Sequence, residues 1–238
     1  CALEIAAASE GAFDPTIGPL VGLWGFGAHA RSGAPAAAEL QHERTRVGWQ
    51  RIYIDPDTGS LLQPGDVQLD LSAIAKGFAV DLVAAHLRDR GVNAALVEVG
   101  GELYGYGSKP DGTPWRVLVE AGPEEDDHSL EPRVLELDGL AVASSGDRWH
   151  HYARDGQRYT HTIDPRTGAP RRHAAAGVTV LAEDTMHADG WATALTVLGS
   201  DDGHALAQRL GLAARVLDRS DDGLQERMTD AFQAHLAH

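Results

Sequence analysis

The stretch SAIAKGFAVDLVAAHLRDRGVNAALVEVGGELYGY, residues 72–106, decides the fold class of this chain of 238 residues. Its first half carries apolar residues at helical spacing and ends at Gly91, which predicts a helix over residues 73–90. Two short apolar runs, residues 94–99 and 102–106, flank a Gly-Gly pair and are typical of strands joined by a tight turn. Antiparallel strands with helices at intervals indicate an α+β fold.

The same pattern continues on both sides of this stretch. Residues 13–27 contain six glycines or prolines and predict a packed loop, and residues 47–71 predict antiparallel strands. Further strands are expected at residues 115–120, 133–137, 140–144, 149–153, 157–163 and 178–181, with a hairpin turn at residues 155–156, and further helices at residues 2–8, 185–198 and 202–210. We expect residues 1–238 to form one catalytic region, N-terminally truncated, with a flexible acidic loop over residues 121–132.

The net charge of the chain restricts the kinds of ligand that it is expected to bind. The chain has 20 Lys and Arg against 35 Asp and Glu, a formal net charge of −15. Nucleic acid is excluded as a partner because phosphate neutralisation requires clustered basic side chains. A ligand that carries phosphate would need a bridging cation or a local backbone cradle.

Cys1 is the sole cysteine, so neither an intrachain disulfide nor a thiolate metal cluster is expected. The chain also lacks a run of about 18 apolar residues and the residue order of a signal peptide. Cys1 fits the lipidated cysteine of a processed lipoprotein, or a chain cut within a helix. The helical pattern that follows it favours the second interpretation.

Asp189 and Thr193 lie four residues apart in the predicted helix over residues 185–198, and therefore on one helical face. A carboxylate beside a hydroxyl suits a hard cation such as Mg²⁺. The alternative is structural: Asp189 would interact with the dipole of its own helix while Thr193 bonds back to a carbonyl.

Asp70 precedes the predicted helix over residues 73–90, and Lys76 lies in the first turn of that helix. Free backbone N–H groups at a helix start, a lysine and a carboxylate can together hold a nucleotide. Alternatively, Ser72 is a helix N-cap and Lys76 a solvated charge. The P-loop pattern is absent, and Gly100 with Gly101 lacks the dinucleotide-binding order, which leaves a plain hairpin as the default there.

A polar cluster precedes and includes the sequence YTHTIDPRTGAP. A histidine beside a carboxylate in such a cluster can act as a general base near neutral pH. Zinc is disfavoured because adjacent histidines on a strand point to opposite faces, and the serine-hydrolase pattern is missing. Structural, hydrogen-bonded histidines remain the alternative. The residues concerned are Ser145, Asp147, His150, His151, His161, Asp164 and Arg166.

One short motif recurs. IDPDTG begins at Ile54 and IDPRTG at Ile163. The recurrence suggests an internal duplication, although a shared turn can also arise independently.

Six motifs taken in order closely resemble the ApbE family of FAD:protein FMN transferases, over residues 2–199. They are GAFDPTIGPLVGLWGFG, LDLSAIAKGFAVD, ALVEVGG, AVASSGD, YTHTIDPRTGAP and HADGWATALTVLG. The resemblance implies a T-fold-like antiparallel sheet with packed helices and an intimately associated α/β part, with FAD between them. It also implies a Mg²⁺-dependent transfer of FMN from FAD to a threonine, or sometimes serine, hydroxyl of an acceptor flavoprotein, with release of AMP.

The resemblance further implies roles for individual residues. The metal ligands would be the backbone carbonyl of Ala73 and the side chains of Asp189 and Thr193, and His161 matches the catalytic histidine of the family. In chemical terms, His161 would take the proton of the acceptor hydroxyl, and a carboxylate such as Asp164 could orient the imidazole. The residues expected to contact FAD are Ala12, Phe13, Asp14, Asp70, Lys76 and Ile163.

The family resemblance also implies a protein partner and a cellular location. The acceptor would be a subunit of a membrane redox complex, and the enzyme would lie in the periplasm or on the extracytoplasmic face of the inner membrane, in some cases as a lipoprotein. Family members carry a further N-terminal stretch with an MGT-type segment, which this sequence lacks. A flavin-binding or storage module and an FAD pyrophosphatase that yields FMN and AMP are the alternatives.

Overall fold

The computed structural model describes residues 1–26, 34–63, 65–120, 130–146, 151–154, 157–171, 175–220 and 223–236. The predicted acidic loop falls mostly outside these residues, and the predicted hairpin turn at residues 155–156 does so entirely. The helices are α1 (Ala2–Ala8), α2 (Gly18–Leu23), α3 (Ala37–Arg44), α4 (Ala75–Asp89), α5 (Thr185–Leu198), α6 (Ser200–Leu210) and α7 (Asp230–Gln233). The strands are β1 (Tyr53–Ile54), β2 (Leu61–Leu62), β3 (Ala95–Val99), β4 (Glu102–Tyr106), β5 (Trp115–Val119), β6 (Arg133–Leu137), β7 (Leu140–Gly146), β8 (His151–Arg154), β9 (Gln157–Thr160), β10 (Ile163–Asp164), β11 (Ala169–Pro170), β12 (Gly177–Ala182), β13 (Ala213–Ser220) and β14 (Gly223–Met228).

The chain divides into two compact units. The first comprises Cys1–Leu71 and His150–Arg172, and the second comprises Ser72–Trp149 and His173–His238. In the first unit, α1 to α3 accompany three two-stranded ribbons. Leu20, Trp24 and Ile163 form its apolar cluster, and the Trp24 indole N–H donates a 2.7 Å hydrogen bond to the carbonyl of Gly168.

The repeated IDPxTG motif folds in the same way at both places. The Oδ1 atoms of Asp55 and Asp164 each accept a hydrogen bond from the backbone N–H two residues on, at 2.9 and 3.0 Å. Each backbone carbonyl accepts from the glycine four residues on, at 2.8 and 2.7 Å. The flanking pairs share one register, Ile54 with Leu61 and Ile163 with Pro170. The motif therefore determines its own turn, and a wider duplication stays a hypothesis.

The second unit is built on a six-stranded sheet in the order β14-β13-β12-β7-β4-β3, with every neighbouring pair antiparallel. Because side chains alternate along each strand, the sheet has two apolar faces. The helices α4 and α5 cover one face, and the β5–β6 ribbon with α7 covers the other. The predicted α+β fold with an antiparallel sheet and packed helices is confirmed.

The start of α4 crosses α5 very closely. A Cβ atom on Gly77 would lie 2.3 Å from the carbonyl oxygen of Thr185, so only a glycine allows this approach. Asp81 of α4 accepts hydrogen bonds from the N–H groups of Thr185 and Met186 at 2.8 and 2.9 Å, while Asp189 of α5 accepts from Gly77 N–H at 3.1 Å. Each helix thus supplies a carboxylate to the free N–H groups at the start of the other.

Gly77→Ala should lower the free energy of unfolding by about 3 kcal/mol, because the added methyl forces the two helices apart. Gly22→Ala is the matched control: it is also a helical glycine, but a Cβ there meets no atom within 4 Å. Urea unfolding should show the control unchanged within about 1 kcal/mol. Equal stability of the two variants would show that this crossing is not tight.

Several features of the fold differ from the sequence-based expectations. The predicted loop over residues 13–27 contains α2, which tolerates Pro19 because a proline in the first turn removes no helical hydrogen bond. Among the described residues of 47–71, the regular elements are two short strands and a helical turn at Trp49–Arg51. The strands β13 and β14 were not predicted, since charged residues interrupt their apolar pattern: DRS ends β13, and QER lies within β14.

Candidate functional site

Asp189 lies one turn into α5 and is the centre of the predicted metal site. Its side chain is 3 % exposed, and its Oδ1 lies 3.8 Å from Nζ of Lys76 while its Oδ2 accepts from Gly77 N–H. Burial raises the pKa of Asp189, and the Lys76 charge and the Gly77 N–H offset this only in part. The structural alternative placed this carboxylate at the dipole of its own helix, whereas its backbone hydrogen bond comes from the first turn of α4. An additional cation would stabilise the ionised form.

Thr193 follows Asp189 by one turn of α5. Its Oγ1 lies 3.3 Å from Oγ of Ser145 on β7, and either hydroxyl can donate. A bond back to a carbonyl of the helix is made instead by Thr196, whose Oγ1 donates to the carbonyl of Ala192 at 2.8 Å. The Thr193 hydroxyl is therefore paired with a second hydroxyl rather than with the helix backbone.

The remaining predicted ligand, Ala73, lies in the turn that leads into α4, whose first turn contacts Asp189. A carboxylate, a hydroxyl and a carbonyl are the oxygen donors that Mg²⁺ prefers, and the buried charge of Asp189 fits a cation. In the described ranges, no group of three or more Asp, Glu, His and Cys side chains is placed to hold a metal. The residues thus fit a site with one carboxylate, in which substrate oxygens or waters complete the coordination.

Lys76 has a partner that the sequence reasoning missed. Its Nζ donates to Oε1 of Glu102, whose side chain is 2 % exposed against 42 % for Lys76. Burial raises the pKa of Glu102, and the contact with Lys76 opposes this. Ser72 is not the N-cap of α4, since that position belongs to Ile74. Lys76 is therefore an ion-pair partner rather than a freely solvated charge.

The Gly-Gly pair makes this ion pair possible. Gly100 and Gly101 have φ of +62° and +99° and form the two-residue turn between β3 and β4, where Val99 pairs with Glu102. A Cβ on Gly100 would lie 3.1 Å from Cδ of Lys76. The glycines thus provide the tight hairpin and also the room for the lysine stem. In the sequence, Glu102 is marked by its position directly after the pair, which does not show that its side chain is buried.

In the first unit, the segment that contains Asp14 is held beside Asp70. Oδ1 of Asp14 accepts from the N–H and hydroxyl of Thr16 at 2.8 and 2.6 Å, and Oδ2 accepts from Trp49 N–H at 3.1 Å. Burial raises the pKa of Asp14, and these hydrogen bonds oppose the effect. Asp70 N–H donates to the carbonyl of Pro15 at 2.7 Å. Two of the predicted FAD contacts are therefore neighbours.

Three other predicted FAD contacts have buried side chains: Ala12, Phe13 and Ile163 are 1, 3 and 2 % exposed. Ile163 belongs to the apolar cluster of the first unit. Their side chains are used in packing, so the backbone is what they can offer a ligand.

His161 is half-buried, and its ring packs edge-on against Phe26, with centroids 6.4 Å apart and an interplanar angle of 68°. Among the described residues, the Asp164 carboxylate is paired with arginines. It accepts two hydrogen bonds from the Arg166 guanidinium at 2.9 and 2.8 Å and lies 3.5 Å from Arg171. Burial acts to raise the pKa of Asp164, but the hydrogen bonds and charge of Arg166 and the charge of Arg171 outweigh it and lower the pKa. Asp147 and His150 lie outside the described residues, as does the side chain of His151.

The predicted site residues divide between the two units. Ala12, Phe13, Asp14, Asp70, His161 and Ile163 belong to the first, and Ala73, Lys76, Asp189 and Thr193 belong to the second.

The fold defines a class: α+β proteins with a six-stranded antiparallel sheet and two helices whose starts are joined by buried carboxylates. A sequence model described as the ApbE family matches residues 1–216. The chain therefore belongs to the ApbE family. The predicted family is confirmed. The predicted enzyme class is confirmed as well, because the relatives of this chain are named as transferases.

Individual members of the family are similar to this chain in sequence and in structure. The "FAD:protein FMN transferase" of Vibrio cholerae serotype O1 is 39 % identical over 237 residues, which are 99 % of this chain and 70 % of that protein. The protein of the same name from Haemophilus influenzae is 38 % identical, with 98 and 68 % covered. The crystal structure of Pseudomonas stutzeri flavinyl transferase ApbE in its apo form has a TM-score of 0.89 at 42 % identity and covers 100 % of this chain and 73 % of that one. These similarities extend over nearly the whole chain.

Proposed function

We propose that this protein transfers FMN from FAD to a threonine or serine hydroxyl of an acceptor flavoprotein, with Mg²⁺, and releases AMP. Membership of the ApbE family and the names of the relatives support flavin transfer. The observation that carries the metal-dependent form of the proposal is Asp189, a buried carboxylate with a raised pKa, which has the Thr193 hydroxyl one turn away.

Mg²⁺ would be held by the side chains of Asp189 and Thr193 and by the carbonyl of Ala73. When bound, it would neutralise negative charge that develops on the pyrophosphate of FAD during the transfer. A chain with a net charge of −15 needs such a cation near a dinucleotide.

The transfer reaction needs one general base, which removes the proton of the acceptor hydroxyl. The acceptor hydroxyl oxygen forms a bond to the FMN phosphorus, the bond from that phosphorus to the AMP oxygen breaks, and His161 takes the hydroxyl proton. Lys76 would contact the pyrophosphate with its ammonium group. Asp70 and the Ala12–Asp14 segment would position the flavin nucleotide together with the backbone at Ile163.

Incubation with FAD, Mg²⁺ and an acceptor fragment should add one FMN to the target threonine and release AMP in equal amount. Mass spectrometry of the fragment and chromatography of the nucleotides measure both products. The control fragment carries valine in place of that threonine and should stay unmodified.

The other outcomes separate the alternatives. AMP release without an adduct would mean an FAD pyrophosphatase, and FAD binding without either product would mean a storage module. No adduct here, while the Vibrio cholerae relative modifies its acceptor in parallel, would contradict the proposal.

We further propose that the acceptor belongs to a membrane redox complex and that transfer occurs on the extracytoplasmic side of the inner membrane. The family resemblance supports this placement. Over the described part of the chain, no helix has the length and apolar character needed to cross a membrane. In the same assay on separated cell fractions, covalent flavin fluorescence should appear in a membrane protein, and labelling confined to soluble proteins would contradict the placement.

A further inference from the structure

Lys76 lies between two buried carboxylates. Its Nζ is in direct contact with Oε1 of Glu102 and is 3.8 Å from Oδ1 of Asp189. Both acidic side chains are almost fully buried, at 2 and 3 % exposure. One ammonium group is therefore within ion-pair distance of two carboxylates, and its contact with Glu102 is the closer one.

Glu102 is held in place by its backbone. It is the first residue of β4 and pairs with Val99 directly across the Gly-Gly turn. Its Oε2 is buried without a hydrogen-bond partner among the residues that the structure describes. The contact with Lys76 is thus what compensates the buried charge of Glu102.

The position of the ammonium matters for Asp189. At 3.8 Å the ammonium already attracts the Asp189 carboxylate. A direct hydrogen bond would occupy the carboxylate oxygen and bring the positive charge closer to a cation bound there, where charge repulsion is strong in a partly buried site. We propose that Glu102 is a positioning residue: it keeps the Lys76 ammonium out of direct hydrogen-bond contact with Asp189, so that Asp189 stays available to a divalent cation. The inference rests on the proposed metal site.

Direct metal binding tests this role without FAD or an acceptor. Mn²⁺ serves as the probe, and its electron paramagnetic resonance signal reports the free ion during titration of the protein. In Glu102→Gln, the lysine should move to Asp189 and raise the dissociation constant for Mn²⁺ on the order of tenfold, as for charges coupled in one network.

The double variant separates competition from a simple loss of negative charge. In a Lys76→Met background no ammonium can move, so adding Glu102→Gln should change the dissociation constant by less than about threefold. An equal effect of Glu102→Gln in both backgrounds would overturn the proposal in favour of a general charge effect. No effect in either background would overturn it outright.

Glu98→Gln is the matched control. Glu98 is an exposed carboxylate that accepts a 2.7 Å hydrogen bond from Gly101 N–H in the same turn. It should leave Mn²⁺ binding unchanged, and a loss equal to that in Glu102→Gln would contradict the role of Lys76. If Glu102→Gln does not fold, Glu102→Asp withdraws the carboxylate by one methylene and allows the same comparison.

The result is distinguishable from a failure of the metal site itself. If the unmodified protein does not bind Mn²⁺, the proposed metal site is wrong and this inference falls with it. If the unmodified protein binds Mn²⁺ and Glu102→Gln binds it equally well, the metal site stands and the role of Glu102 is wrong.

Discussion

Replacing Asp189 by asparagine should reduce metal-dependent FMN transfer by about 10³-fold, since a bound cation contributes several kcal/mol of charge stabilisation. Asparagine removes the charge but keeps an oxygen that can accept the hydrogen bond from Gly77 N–H. Alanine would remove both and would disturb the start of α4. The loss with asparagine is therefore assigned to the cation, and AMP release across a Mg²⁺ titration measures it.

Asp184→Asn is the control for this variant. Asp184 is the N-cap of the same helix and accepts a 2.8 Å hydrogen bond from His187 N–H, which asparagine can also do. Its transfer rate and Mg²⁺ dependence should match those of the unmodified protein. Full activity of Asp189→Asn at every Mg²⁺ concentration would show that Asp189 is not a ligand.

Replacing His161 by alanine should lower the transfer rate by about 10²–10⁴-fold, the usual contribution of a general base. FAD binding should be unchanged because the proposed role is to take the acceptor proton and not to hold the nucleotide. The effect should appear in kcat, while the dissociation constant for FAD, measured by flavin fluorescence, stays constant.

Phe26→Leu tests whether the imidazole acts through its chemistry or its packing. Phe26 contacts the His161 ring edge-on, so leucine removes the ring contact and leaves the imidazole. This variant should lose much less activity than His161→Ala. If the two variants lost activity equally, or if His161→Ala lost FAD binding in proportion to its rate, the base assignment would be wrong.

Local patterns predicted much of the second unit. The helix over residues 185–198 and the strands over residues 102–106 and 133–137 have the bounds that periodicity and glycines indicated. The spacing of Asp189 and Thr193 placed two oxygens on one face because helical geometry depends on neighbours a few residues apart. The family was predicted from six motifs in order, and a relative that is 39 % identical to this chain agrees with that prediction.

Other features needed the folded chain. Asp189 accepts a hydrogen bond from the N–H of a residue 112 positions away, and the Asp164 carboxylate pairs with Arg166 and Arg171. Glu102 showed no chemistry in the sequence, since a carboxylate after a Gly-Gly turn is ordinarily solvated.

The sequence by itself therefore determined the fold class, the family and the residue types of the site, because these follow from short-range periodicity and motif order. Only the tertiary structure decided which charges are buried and which groups pair with them. Desolvation and ion pairing depend on distances between segments that are remote in the chain, and at Lys76 these distances place one ammonium between two carboxylates.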